Sequence, residues 1–144
     1  MMMLPIALTF GAGCALLNIW LGWRCAQVRI RGKVLHGDGG DPLLARRMRA
    51  HANFIEYTPI TLLLLLLVEL AWGESPWLWG AGAIYLLARI AHAFGMDADK
   101  PTPARGGGIM ATWLVTIGLA LAALYAAYAH GSSTPAPAAL SAQV

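Results

Sequence analysis

The stretch PLLARRMRAHANFIEYTPITLLLLLLVELAW, residues 42–72, joins two kinds of sequence in one unbroken run. Its first half carries Arg46, Arg47, Arg49, Asn53 and Glu56, while 57–72 holds a single charge, Glu69. Asp41 before Pro42 predicts the start of a helix. The carboxylate can accept backbone N–H groups that the first turn leaves unpaired, and proline has no N–H to leave unpaired. About thirty residues of helix extend roughly 45 Å, well beyond the ~30 Å hydrocarbon core of a bilayer. The stretch therefore predicts one long helix whose apolar half lies in lipid. Its polar half projects from the membrane or lines an interior cleft. Pro59 frees the carbonyl of Ile55, so a mild kink is expected just above the polar half.

The rest of the chain fits the same solvent. Hydrophobic residues make up 58% of the 144 residues and charged ones 12%, where a soluble domain carries about 25% charged residues. Such a chain cannot cover a water-facing surface. Spans are predicted at 4–31, 42–72, 77–95 and 108–129, giving an all-α, integral-membrane four-helix bundle with an up-down-up-down course. The amino-terminal run has no Lys or Arg before it and reads as a retained span rather than a signal peptide. The first connection contains Gly37-Asp38-Gly39-Gly40, which is turn chemistry. Gly106-Gly107-Gly108 is expected to turn the chain into the fourth span. The tail, 131–144, has no periodicity and is expected to be disordered. Cys14 and Cys25 lie eleven positions apart on one predicted helix, roughly 16 Å, which excludes a disulfide between them.

Charge sets the orientation. All ten Lys and Arg lie in or beside the first and third connections. The positive-inside rule puts those connections in the cytoplasm and both termini on the opposite side. The membrane accounts for this basic face, so no nucleic-acid partner is expected. Arg24, Arg31, Lys33, Arg47 and Lys100 are expected to snorkel to lipid phosphate. Glu69, near the opposite face, is expected to be structural or exposed and receives no chemical role. The leucine run 62–67 is expected to be lipid or oligomer surface.

Ionisable groups inside a membrane are costly and need partners. Arg49, Asn53 and Glu56 recur at i, i+4 and i+7 and share a helix face, with Arg46 one turn earlier. Arg89 and His92 lie three apart near the basic end of the third span, Arg29 lies at the same depth on the first, and Arg105 precedes the fourth. A four-helix bundle gathers them at one level. Several guanidinium groups with few carboxylates make an anion site, while Glu56 can accept from an ammonium group. That chemistry suits a small zwitterion with several carboxylates or a lipid headgroup. A purely structural cluster of Arg49, Asn53 and Glu56, and an interhelical role for His92, stay open. No zinc-like spacing of Cys and His is present, and no metal is expected.

The run Arg49-Ala50-His51-Ala52-Asn53-Phe54-Ile55-Glu56-Tyr57 resembles the signature of the MAPEG family, the membrane-associated proteins of eicosanoid and glutathione metabolism. Arg89-Ile90-Ala91-His92 resembles the family's third-helix motif, Arg105 its arginine before the fourth helix, and Arg29 after Gln27-Val28 its first-helix arginine. Gly37-Asp38-Gly39-Gly40 and Ala111-Thr112-Trp113 look like the bacterial branch. The resemblance covers 4–129. It implies a homotrimer in a bacterial inner membrane, with glutathione bound between neighbouring subunits at the cytoplasmic side. It also implies that Arg29, Arg49, Asn53, Glu56 and His92 contact or support glutathione, and that Arg89 and Arg105 serve catalysis, Arg105 by stabilising the thiolate. The activity it implies is glutathione transfer to hydrophobic electrophiles dissolved in membrane lipid, or peroxidase chemistry by the same thiolate. Met96 stands where several relatives carry a tyrosine, Ala52 where some carry an arginine, and Gly106 where one branch has a serine. These departures point away from prostaglandin isomerase and leukotriene-forming activity. The alternative is a non-catalytic lipid-binding or scaffold protein of the same fold.

Overall fold

Each helix of the computed structural model, which describes residues 3–131, begins on a proline: α1 (Pro5–Gly32), α2 (Pro42–Trp72), α3 (Pro76–Gly95) and α4 (Pro103–Gly131). Proline suits a first turn because its fixed φ is helical and its missing N–H would have had no partner there. The remaining orphan donors need acceptors. At α2, Asp41 supplies one, its Oδ1 accepting from Leu43 N at 2.8 Å and Leu44 N at 3.0 Å. At α4, the Thr102 hydroxyl accepts from Arg105 N at 3.2 Å. At α1 the residue before the proline is Leu4, which has no side-chain acceptor. The acceptor comes instead from the end of α2: Glu69 takes Ile6 N at 2.9 Å and Ala7 N at 2.7 Å, one on each carboxylate oxygen. Glu69 is buried. Its negative charge lies against the positive end of the α1 dipole. Of the two roles expected for it, the structural one holds.

Around the bundle the order is α1, α2, α4, α3, so that α1 and α4 stand on a diagonal. Three apolar tiers fill the interior. Ile6, Phe10, Leu65, Val68, Leu78 and Leu119 form the first. Cys14, Leu17, Leu21, Phe54, Tyr85 and Ala93 form the second, and Cys25, Val28 and Leu44 close the third. Both cysteines are free. Polar side chains inside the bundle pair across helices, Thr58 with Tyr85 and Thr61 with Thr116, each at 2.9 Å. In a medium without water such pairs satisfy groups that would otherwise be stranded.

The outside is as apolar as the inside. Leu8, Leu16, Ile19, Leu87, Leu114, Leu121 and Leu124 are all exposed. Among the described residues three helices are long and apolar enough to cross a membrane: α1, α2 and the 103–129 part of α4, with mean hydropathy 1.5, 1.8 and 2.0. The third predicted span, α3, falls short by composition, because it carries Arg89 and His92. Both are buried against protein, so the shortfall reflects its inner face and not the face it turns outward.

Several expectations need correction. The leucine run 62–67 is divided by helical periodicity: Leu63 and Leu67 face out, whereas Leu65 is in the core. The fourth helix starts at Pro103, not 108, and Gly106, Gly107 and Gly108 lie in its first turns. The Thr102 cap and Pro103 start the helix before the glycines can turn it. Gly108 serves close packing instead, since a Cβ there would lie 2.6 Å from the Ala88 carbonyl oxygen. The loop reading of 37–40 holds, with Gly37, Gly39 and Gly40 all at positive φ. The tail 132–144 lies outside the described residues.

Replacing Glu69 with alanine strands two N–H groups at the head of α1, one buried and one partly buried. Hydrogen bonds to a charged acceptor are worth about 1.5–3 kcal/mol each. Thermal unfolding of the detergent-solubilised protein should therefore show a clear drop in Tm for Glu69→Ala. An unchanged Tm would remove Glu69 as the α1 cap.

Candidate functional site

At the end of the bundle where the basic residues collect, α2, α3 and α4 part to leave a crevice of about 340 Å³. Small-molecule sites are commonly about 300–1,000 Å³. Arg49 and Asn53 line it from α2, and His92 and Met96 line it from the end of α3. Pro101 and Thr102 line it from the connection, and Arg105, Gly106 and Ile109 from α4. Four of the seven predicted site residues thus meet in one cavity.

Two more support it from behind. Glu56 accepts from Arg49 through both of its oxygens, at 2.8 and 3.3 Å. This pair is mostly solvent-accessible, 60% and 47% by side chain, so it contributes only about 0–1 kcal/mol to stability. What it does fix is the direction of the Arg49 fork. Arg89 lies deeper, 1% exposed. Its Nη2 donates to Asn53 Oδ1 at 2.8 Å and its Nη1 to Thr112 Oγ1 at 3.3 Å, with the guanidinium over the Phe54 ring. Its Nε has no partner, and among the described residues no carboxylate pairs with it. Because Arg89 occupies the amide oxygen of Asn53, the Asn53 NH₂ is left as a donor toward the crevice.

Arg29, the seventh, is elsewhere. It donates to Met48 Sδ at 3.3 Å and lines a separate crevice between α1 and α2, with Gly22, Cys25, Met48 and His51 among its neighbours. His51 bridges these helices by a 2.8 Å bond to Asn18 Oδ1.

The snorkelling expected of Arg24 and Arg47 is not what these side chains do. Arg24 is buried and donates to the Ala93 carbonyl oxygen at 3.1 Å and to Asp97, with Trp20 and Phe94 against its guanidinium. Arg47 grips both oxygens of Asp97, at 3.3 and 3.2 Å, and donates to the Arg24 carbonyl oxygen at 3.0 Å. Asp97 therefore ties α1 and α2 to the connection that carries Pro101 and Thr102. Arg46 pairs with Asp99 at 2.6 Å and does not join the crevice. Arg31, Lys33 and Lys100 remain exposed. Sequence reading missed Asp97, Pro101, Thr102 and Ile109. The signal for Asp97 was available in the charge count: ten basic residues crowd one end, with few carboxylates near enough to neutralise those that are buried.

The crevice is equipped to bind an anion with hydrogen-bonding groups. Three guanidinium groups against one carboxylate leave two positive charges in or behind it. Among the described residues no three His, Cys, Asp or Glu side chains converge as metal ligands would.

The model of the MAPEG family matches residues 7–125. The chain is 31% identical over 111 residues to inner membrane protein YecN of Escherichia coli strain K12, an alignment covering 77% of this chain and 84% of that protein. The same figures hold for inner membrane protein YecN of Escherichia coli O6:H1, strain CFT073.

Removing the Asp97 carboxylate leaves Arg24 charged and buried without its partner, a change that typically costs about 3–5 kcal/mol. Asp97→Ala should lower Tm sharply and speed proteolytic cleavage within 97–102. Wild-type resistance in both assays would mean that Asp97 does not hold this connection.

Proposed function

The chain belongs to the MAPEG family and is a membrane protein; on that premise we propose that it is a glutathione transferase that delivers the glutathione thiolate to hydrophobic electrophiles dissolved in the bilayer. The observation that carries this reading is the cationic crevice of Arg49, Asn53, His92 and Arg105, with buried Arg89 behind it lacking a carboxylate. Glutathione as a thiolate has two carboxylates, one ammonium and one sulfur anion, hence two net negative charges. The crevice offers the complement: Arg49 and Arg105 for the anionic groups, the Asn53 amide as a donor, and Glu56 as the acceptor for the ammonium.

The chemistry asked of the site is modest. A free cysteine-type thiol has a pKa of about 8.5, so only a few per cent is ionised at neutral pH. An arginine about 4 Å away at an effective dielectric of about 20 contributes roughly 4 kcal/mol. Lowering the pKa by two units needs about 2.7 kcal/mol, which one well-directed guanidinium supplies. Arg105 is the candidate, because its side chain has no partner among the described residues. Arg89 acts at one remove, through Asn53. The thiolate then attacks carbon in the electrophile, the S–C bond forms, and the leaving group departs as an anion. Met96, buried at the crevice wall, contributes no hydroxyl, so sulfur activation rests on charge alone.

In this reading four helices cross a bacterial inner membrane up and down, α3 with Arg89 and His92 turned inward and Ile84 and Leu87 turned outward. The connections rich in Lys and Arg are cytoplasmic and both termini lie opposite. The functional unit is a homotrimer. The position of Arg29 supports it: with His51 it lines a different face of the subunit from the crevice, where it can meet glutathione only in a neighbouring copy.

Calorimetry on the detergent-solubilised protein tests the proposal. Glutathione should bind saturably, and Glu56→Ala, which loses one charge-assisted bond worth about 1.5–3 kcal/mol, should bind roughly 10–100-fold more weakly with the oligomer intact. Arg105→Ala should retain binding better but lose about 25-fold in kcat for conjugating a chloronitroaromatic acceptor at neutral pH, as the bound thiol returns to a few per cent ionised. Absence of glutathione binding, together with heat stabilisation by anionic lipid, would replace this reading with a lipid-binding protein.

A further inference from the structure

The start of α4 is fastened to the end of α3 with little room to spare. A Cβ on Gly95 would collide with the backbone of Arg105, and one on Gly108 would lie 2.7 Å from the Cβ of His92. Across this contact the Thr102 hydroxyl donates to the Gly95 carbonyl oxygen at 3.2 Å and accepts from Arg105 N at 3.2 Å. On the other side of the same residue, His92 Nδ1 lies 3.0 Å from the Arg105 carbonyl oxygen. A carbonyl only accepts, so Nδ1 must carry the proton, and a neutral His92 ring keeps its lone pair on Nε2. Both peptide groups of Arg105 are therefore held, while its guanidinium is left without a partner among the described residues.

We propose that His92 is a positioning residue for Arg105: its Nδ1–H anchors the Arg105 backbone so that the guanidinium reaches the crevice at a fixed distance from the bound sulfur. This inference rests on the glutathione reading of the crevice and changes what His92 does there. The resemblance left it to contact or support the ligand; here it sets the reach of another side chain. The reason such an anchor matters is the steepness of the electrostatic term. A drift of the guanidinium from about 4 to about 6 Å removes about a third of its attraction for a thiolate. That loss raises the pH midpoint of thiol ionisation by about one unit.

The two amide analogues of histidine separate this role from mere packing. Asparagine can place an N–H near the position of Nδ1, whereas the longer glutamine reaches toward Nε2. The measurement is the pH titration of the ultraviolet thiolate band of glutathione, at saturating glutathione, on the detergent-solubilised full chain. His92→Asn should ionise glutathione at the wild-type midpoint. His92→Gln should shift the midpoint up by about one unit, with a much smaller change in Kd. Thr102→Val, which frees Arg105 N without touching His92, gives a second route to the same upward shift should His92→Gln fail to fold. Midpoints unchanged in His92→Gln and Thr102→Val, or His92→Asn shifted as far as His92→Gln, would overturn the inference and leave the proposed function standing. A wild-type protein that binds glutathione without any thiolate band would overturn both.

Discussion

A guanidinium inside an apolar bundle cannot be left without hydrogen bonds, and it cannot readily shed its charge. Two arginines of this chain are in that position, Arg24 and Arg89, each almost fully buried. They are treated differently. Arg24 receives a carboxylate, Asp97, a backbone carbonyl and two aromatic faces. Arg89 receives an amide oxygen, a hydroxyl and one aromatic face, but among the described residues no carboxylate. The first arrangement is closed and organises the connection between α3 and α4. The second leaves a buried positive charge uncompensated beside a cavity, and an anion entering that cavity gains what the protein has withheld.

The same division runs through the rest of the basic end. Arg46 and Arg47 pair with Asp99 and Asp97, fixing the frame, while the Arg105 guanidinium has no partner among the described residues. Arg49 is steered by Glu56, and because that pair is exposed it adds little to stability. It sets a fork and a carboxylate side by side at the edge of the crevice. At the opposite end of the bundle the chain solves a simpler problem, and Glu69 caps a helix that begins with nothing to cap itself.

The sequence was most legible where one physical rule dominates. The long α2, its Asp41 cap and its polar half follow from local chemistry and length. The gathering of Arg49, Asn53, His92 and Arg105 follows from helical spacing together with the family resemblance. It was least legible where partners are far apart in the chain. Nothing local says that Glu69 will cap residues 6 and 7, or that Asp97 will take Arg24 and Arg47. An isolated arginine at a span end looks the same whether it snorkels or turns inward. The early start of α4 was missed because three glycines resemble a turn. Here the last of them, Gly108, permits close contact between α3 and α4, and Thr102 with Pro103 had already begun the helix. Arg29 falls outside the crevice because α1 turns it toward Met48 of α2 and a separate crevice.

The central claim is that this crevice binds glutathione as its thiolate. Calorimetric titration at neutral pH, repeated in buffers of different ionisation enthalpy, reports the protons released on binding. The thiol of free glutathione is almost entirely protonated at that pH, so a two-unit lowering of its pKa predicts about 0.7 proton released for each glutathione bound, and none for S-methylglutathione, which has no thiol proton to lose. Equal proton release for the two ligands, or tight binding of glutathione with none, would contradict it.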